Sequence, residues 1–99
     1  MRGSMDYSKD RNGDTLVVRP RGALNATTVP ELEDALVPAL DGVKELVMDL
    51  SELDNISSMG LRLLLSLYRR MEKQGTMRVV NARGSVAEAF KMTGFSEIF

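Results

Sequence analysis

A single α/β domain, with a mixed four-stranded sheet and helices packed on it in the order ββαβαβα, is the fold class this sequence predicts. Three observations carry that reading. Short β-branched and apolar runs alternate with runs of helical spacing. The connections between them are short, with no internal repeat and no low-complexity tract. A length of 99 residues supports one hydrophobic core and not two.

The elements follow in order. Met1-Arg-Gly-Ser4, with a second methionine at Met5, reads as an expression-vector remnant and is set apart from a domain spanning residues 5–99. Asp6 to Lys9 is a weak edge strand. Asn12-Gly13 is a strong hairpin signal, and Thr15 to Arg19 is β-branched and apolar. Pro20 and Gly22 are expected to end that second strand. Thr28 and Glu31 have capping-box spacing, with Pro30 in the first turn. Leu32, Ala35, Leu36, Ala39 and Leu40 then keep helical spacing. Pro38 should disturb the last turn, and Gly42 should close it.

Glu45 to Leu50 reads as a central strand covered on both faces. A polar loop then leads to a second helix from about Met59 to Gln74, ending at Gly75. Met77 to Val80 is the fourth strand. Ser85 and Glu88 form a second capping box, and Val86, Ala89 and Phe90 give a short amphipathic helix stopped by Gly94. Phe95, Ile98 and Phe99 are expected to pack back onto the core.

Composition removes several function classes. The formal net charge is −1, so no global field draws the chain to nucleic acid or to an anionic membrane. No apolar run approaches the roughly 20 residues that span a bilayer, and no signal-peptide h-region is present. A cytoplasmic location is the expectation. The chain has no cysteine, hence no disulfide and no thiolate metal site. It has no histidine either, which removes the commonest general base and transition-metal ligand. No P-loop or glycine-rich phosphate cradle is present. Neither a metal nor a cofactor is expected.

The chemistry concentrates at the start of the second helix. Ser57 and Ser58 arrive where a helix has unpaired N–H groups and partial positive charge. A hydroxyl there can cap the helix, or carry a phosphate whose charge that helix end tolerates. Leu61, Leu64, Leu65 and Tyr68 form an apolar stripe, widened by Leu63, Leu67 and Met71, which suits a helix wedged between sheet and neighbouring helix. The opposite face holds Arg62, Ser66, Arg69 and Lys73. Ser58 lies one turn before Arg62, within reach of a charge-assisted contact if phosphorylated; otherwise the stripe is a solvated face. Met59 projects near it as an adaptable contact.

The run Asp49-Leu-Ser51, then Ile56-Ser-Ser-Met-Gly-Leu61, resembles the signature of the STAS domain family, and more narrowly of bacterial anti-sigma factor antagonists. Gly22-Ala-Leu-Asn25 is similar to that family's turn before its first helix, and Gly75 and the Val86–Phe99 close fit as well. The resemblance covers about residues 6 to 99.

It implies a binding module in partner switching. The unphosphorylated form binds an anti-sigma factor that is also a serine kinase, which frees the sigma factor. Phosphorylation releases the module, and a PP2C-type phosphatase resets it. The acceptor stands two residues before the motif glycine, Gly60, and is therefore Ser58. The partner surface implied comprises Asn25, Ser57, Ser58, Met59, Gly60 and Arg62. Two positions depart from the family pattern. Ser57 stands where Asp is frequent, making it the alternative acceptor, and Asn25 replaces the turn Asp, keeping hydrogen bonding without charge. The alternative function is a STAS scaffold or sensor module that is never phosphorylated, its serines being plain caps. An enzyme with Ser58 as nucleophile is disfavoured, since no histidine activates it and Lys73 lies about four turns away. A monomer is expected.

Overall fold

The computed structural model describes residues 5–98. The Met1–Ser4 segment and Phe99 lie outside the described residues. The elements run β1 (Asp6–Asn12), β2 (Thr15–Leu24), α1 (Val29–Ala39), β3 (Glu45–Asp49), β4 (Leu53–Ile56), α2 (Ser58–Glu72), β5 (Thr76–Val80) and α3 (Gly84–Thr93), followed by a short 3₁₀ turn at Phe95–Glu97. The sheet is mixed, as expected. β1 is antiparallel to β2, β2 is parallel to β3, and β3 is parallel to β5.

The sheet has five strands rather than four. The extra strand, β4, falls where the sequence reads as a polar loop. Leu53-Asp-Asn-Ile56 has little β propensity of its own, and only Leu53 is buried. It becomes a strand because β2 supplies an edge. Pro20 and Gly22 do not end β2, as expected from sequence; they bend it. Pro20 stays paired with Tyr7, and Gly22 takes φ +83° at a bulge before Ala23. β2 last pairs β3 at Val18 and from Gly22 onward runs parallel to β4, with the bulge inside that pairing and Leu24 opposite Ile56. The hairpin also differs by one residue: Asn12 pairs with Thr15, so Gly13 and Asp14 make the turn, and Gly13 supplies φ +63° at its first position.

Neither capping box forms, because more distant partners win. The Thr28 hydroxyl donates to the Ala23 carbonyl at 2.9 Å, and Glu31 accepts from the Met5 N–H at 2.9 Å. The Ser85 hydroxyl donates to the Asp54 carbonyl at 2.8 Å, fastening α3 to β4. Gly42 does close the end of α1, at φ +77°.

One core unites these elements. Leu32 and Leu36 of α1, Leu46 and Met48 of β3, and Leu63, Leu64, Leu67 and Met71 of α2 are all buried in it. α2 packs on α1, β5 and β4, as its wide leucine face requires. Phe95 packs against the core and meets Phe90, ring centroids 6.4 Å apart. Ile98 does not follow it inward and is 42% exposed.

Candidate functional site

The junction between β4 and α2 is built by one backbone contact and one missing side chain. The Leu24 carbonyl, at the end of β2, accepts from the Ser57 N–H at 2.9 Å. α2 then passes so close to this strand end that a Cβ on Gly60 would lie 2.6 Å from Ile56 Cγ1 and 2.7 Å from the Leu24 carbonyl oxygen. Only glycine fits there, which gives the motif glycine its physical reason. Asn25 directly follows Leu24, so both halves of the candidate site meet at one end of the sheet.

Ser57 and Ser58 occupy different positions on the helix. Ser57 is the N-cap, with extended φ −97° and ψ 177°, and its Oγ accepts from the Gly60 N–H at 3.4 Å. Ser58 is the first helical residue. It is exposed, and its hydroxyl makes no hydrogen bond among the described residues. It borders a groove of about 260 Å³ with Leu61, Arg62, Leu65, Thr93 and Phe95. Arg62 is exposed and holds no ion pair or hydrogen bond among the described residues. It also borders a smaller hollow, about 200 Å³, between α1 and α2, where Met59, 39% exposed, meets Val29 and Glu33.

Asn25 keeps the hydrogen bonding expected of that turn position. Its Oδ1 accepts from the Thr27 N–H at 2.9 Å and from the Thr28 N–H at 3.2 Å, so its side chain shapes the turn into α1. It borders the site through its position in the chain, with its oxygen already committed.

A second polar cluster, beyond what the sequence reading singled out, braces the same end of the sheet. Asp49, the last residue of β3, is 9% exposed. It accepts from Arg19 Nε at 3.0 Å, Asn81 Nδ2 at 3.0 Å and the Ser51 N–H at 3.0 Å, with Arg19 Nη2 at 2.9 Å. Burial is the largest influence on its pKa and pushes it up. The hydrogen bonds from Asn81, Ser51 and Arg19 together outweigh burial and hold the carboxyl down at about 2. Asn81 reaches it from a left-handed backbone, φ 64°. A carboxylate closing the apolar run Leu46 to Met48 was the available signal; its partners come from β2, from Ser51 and from the segment after β5.

A larger hollow, about 460 Å³, lies at the other end of α2, between α1 and the start of β3. Gln74 spans it, donating to the Leu40 and Val43 carbonyls at 2.7 Å each. No group of three or more acidic side chains among the described residues is placed to hold a metal. No helix among them is long and apolar enough to cross a membrane.

The profile of the STAS domain matches residues 6–99 of this chain. The chain belongs to the STAS domain family. Over 97 residues this STAS domain is 32% identical to BtrV of Bordetella bronchiseptica, named as an anti-sigma factor antagonist, covering 96% of this chain and 84% of that protein. An anti-sigma factor antagonist from Mycobacterium paratuberculosis superposes with a TM-score of 0.85 at 29% identity, covering 96% of this chain and 82% of the other. The Bacillus cell fate determinant SpoIIAA superposes in its unphosphorylated form (TM-score 0.80, 20% identity, 90% and 81% coverage) and in its phosphorylated form (0.74, 19%, 93% and 86%). At those identities the SpoIIAA likeness is one of fold.

Proposed function

We propose that this STAS domain is an anti-sigma factor antagonist switched by phosphorylation. Unphosphorylated, it binds an anti-sigma factor that is also a serine kinase, and so frees a sigma factor. The kinase transfers phosphate from ATP to Ser58, the complex dissociates, and a PP2C-type phosphatase restores the binding form. The domain acts in the cytoplasm as a binding module, with no reaction of its own. The names carried by BtrV and by the mycobacterial protein support the partner class.

One observation carries the choice of acceptor: of two adjacent serines, Ser57 is engaged as a cap and Ser58 presents an unbonded hydroxyl beside Arg62. A phosphate adds about −1.5 to −2 charges. At a helix N-terminus this leaves the fold in place, while a partner surface shaped for a small neutral hydroxyl is obstructed. A 100- to 1,000-fold loss of affinity requires about 2.7–4.1 kcal/mol. A phosphate brought against a partner surface that offers it no cation supplies a penalty of that order.

The test is intact-mass measurement after incubation with ATP and each candidate anti-sigma kinase of the source organism, followed by peptide mapping. One added phosphate at Ser58, absent in Ser58→Ala, is expected. Phosphate at Ser57 keeps the switch and moves the acceptor. Binding to a candidate without any transfer replaces the switch with a constitutive scaffold or sensor module.

A further inference from the structure

Most arginines of the described chain are engaged. Arg19, Arg21 and Arg78 hold carboxylates, and Arg11 and Arg83 donate to backbone carbonyls. Arg62, Arg69, Arg70 and Lys73 do neither. All four are exposed, three on α2 and Lys73 as the residue that caps its end, without an ion pair or hydrogen bond among the described residues. Lys9, Lys44 and Lys91, also unpaired, lie off this helix. Steps of four, four, three and four residues align Ser58, Arg62, Ser66, Arg69 and Lys73 as one ridge of about 22 Å. Arg70 lies beside it, and Glu72 is the helix's own acidic residue.

The helix dipole accounts for cations in the last turn, where Arg69 and Arg70 lie. It gives no reason for Arg62, placed one turn from the positive end. Nor are the cations spent on the neighbouring helix. Glu33 of α1 borders the same hollow as Arg62, yet no ion pair links α1 to α2 among the described residues.

We infer that the ridge is a docking track for an acidic protein surface, with the phosphoacceptor at its head. The inference rests on the proposed role of Ser58 and deepens it by giving the partner its chemistry. A protein strip fits better than a nucleic acid. The track is a single row, interrupted by the uncharged Ser66, and Glu33 and Glu72 are acidic neighbours that repel a continuous polyphosphate. A phosphate at Ser58 places about −1.5 to −2 charges on a track of four cations and one carboxylate, roughly halving its attraction. Phosphorylation then both obstructs the contact and weakens the steering that precedes it.

The probe is poly-L-glutamate, titrated into the isotope-labelled full chain with amide shifts read by NMR at low salt. Shifts along residues 58–73 are expected. Arg69→Gln, Arg70→Gln and Lys73→Gln combined should weaken binding about tenfold, and Ser58→Glu about threefold, with both effects fading near 0.3 M salt. Glutamine keeps helix propensity, and amide dispersion reports directly that the variants fold. Absent shifts, shifts elsewhere, or equal binding by the triple variant would overturn the inference. Single-stranded RNA bound as tightly as poly-L-glutamate would assign the track to nucleic acid instead. Peptide mapping reads the Ser58 switch independently, so failure of either idea leaves the other legible. With a kinase in hand, the triple variant should associate about tenfold more slowly and dissociate at an unchanged rate.

Discussion

Adjacent in sequence, Ser57 and Ser58 differ in what the fold asks of them. Ser57 sits in extended conformation with its N–H on Leu24 and its Oγ on the Gly60 N–H. Modifying that oxygen takes away the cap and disturbs the junction with β2. Ser58, one residue on, has helical backbone and a hydroxyl with nothing to hold. Removing each hydroxyl should therefore have opposite consequences. Ser57→Ala should lower the unfolding free energy by about 0.5–1 kcal/mol, the smaller end of cap losses because the 3.4 Å contact is long. Ser58→Ala should stay within about 0.5 kcal/mol of the parent while losing phosphate uptake. Urea unfolding of the two variants beside mass measurement checks both. Equal destabilisation by Ser58→Ala would transfer the cap to it and leave Ser57 as the free hydroxyl. The pair was legible in sequence as a helix start, but which serine caps depends on backbone geometry fixed by Leu24, about 30 residues away.

Elements with a pattern of their own were readable: the leucine face of α2 and the apolar run of β3 lie where periodicity put them. Elements that borrow their structure were not. β4 exists because the end of β2, Gly22 to Leu24, offers it an edge, and the two capping boxes yield to Ala23, Met5 and Asp54, residues outside the motif. Asp49 belongs to the same class. Its place at the end of β3 was visible, whereas Arg19 and Asn81 reach it from β2 and from beyond β5. That cluster has a pH signature. The carboxyl is lowered from 3.8 to about 2 in the folded protein, so as pH falls the unfolded chain binds the proton first. The stability Asp49 contributes is therefore complete above about pH 4 and drains away as pH drops toward 2. Asp49→Asn lacks the charge at every pH. The gap in urea midpoint between parent and Asp49→Asn should be wide at pH 6 and close on approach to pH 2. A gap unchanged from pH 6 to pH 2.5 would mean that the cluster works through shape and neutral hydrogen bonds.

For the whole molecule, the decisive point is that α2 keeps its two tasks on opposite sides. Leu61, Leu63, Leu64, Leu67 and Met71 are buried in the single core, while Ser58, Arg62, Ser66, Arg69 and Lys73 face outward. A charge added at Ser58 meets the positive end of the helix and a free guanidinium, and it displaces no core side chain. The proposed switch would then operate on the surface of an unchanged fold. In a domain of this size, 1 kcal/mol moves the melting temperature by about 4–8 °C. Stoichiometric phosphorylation should shift it by no more than about 4 °C, in either direction. Amide exchange should change in the first two turns of α2 and around Thr93 and Phe95, which share the groove with Ser58. β3 and β5, paired from Glu45 opposite Thr76 to Asp49 opposite Val80 and contributing no residue to that groove, should keep their protection. Calorimetry with exchange mass spectrometry on the phosphorylated and unmodified chains decides the matter. Protection lost across β3 and β5, with a drop beyond about 8 °C, would mean that the phosphate loosens the domain itself, and partner release would then follow from unfolding of the binding surface.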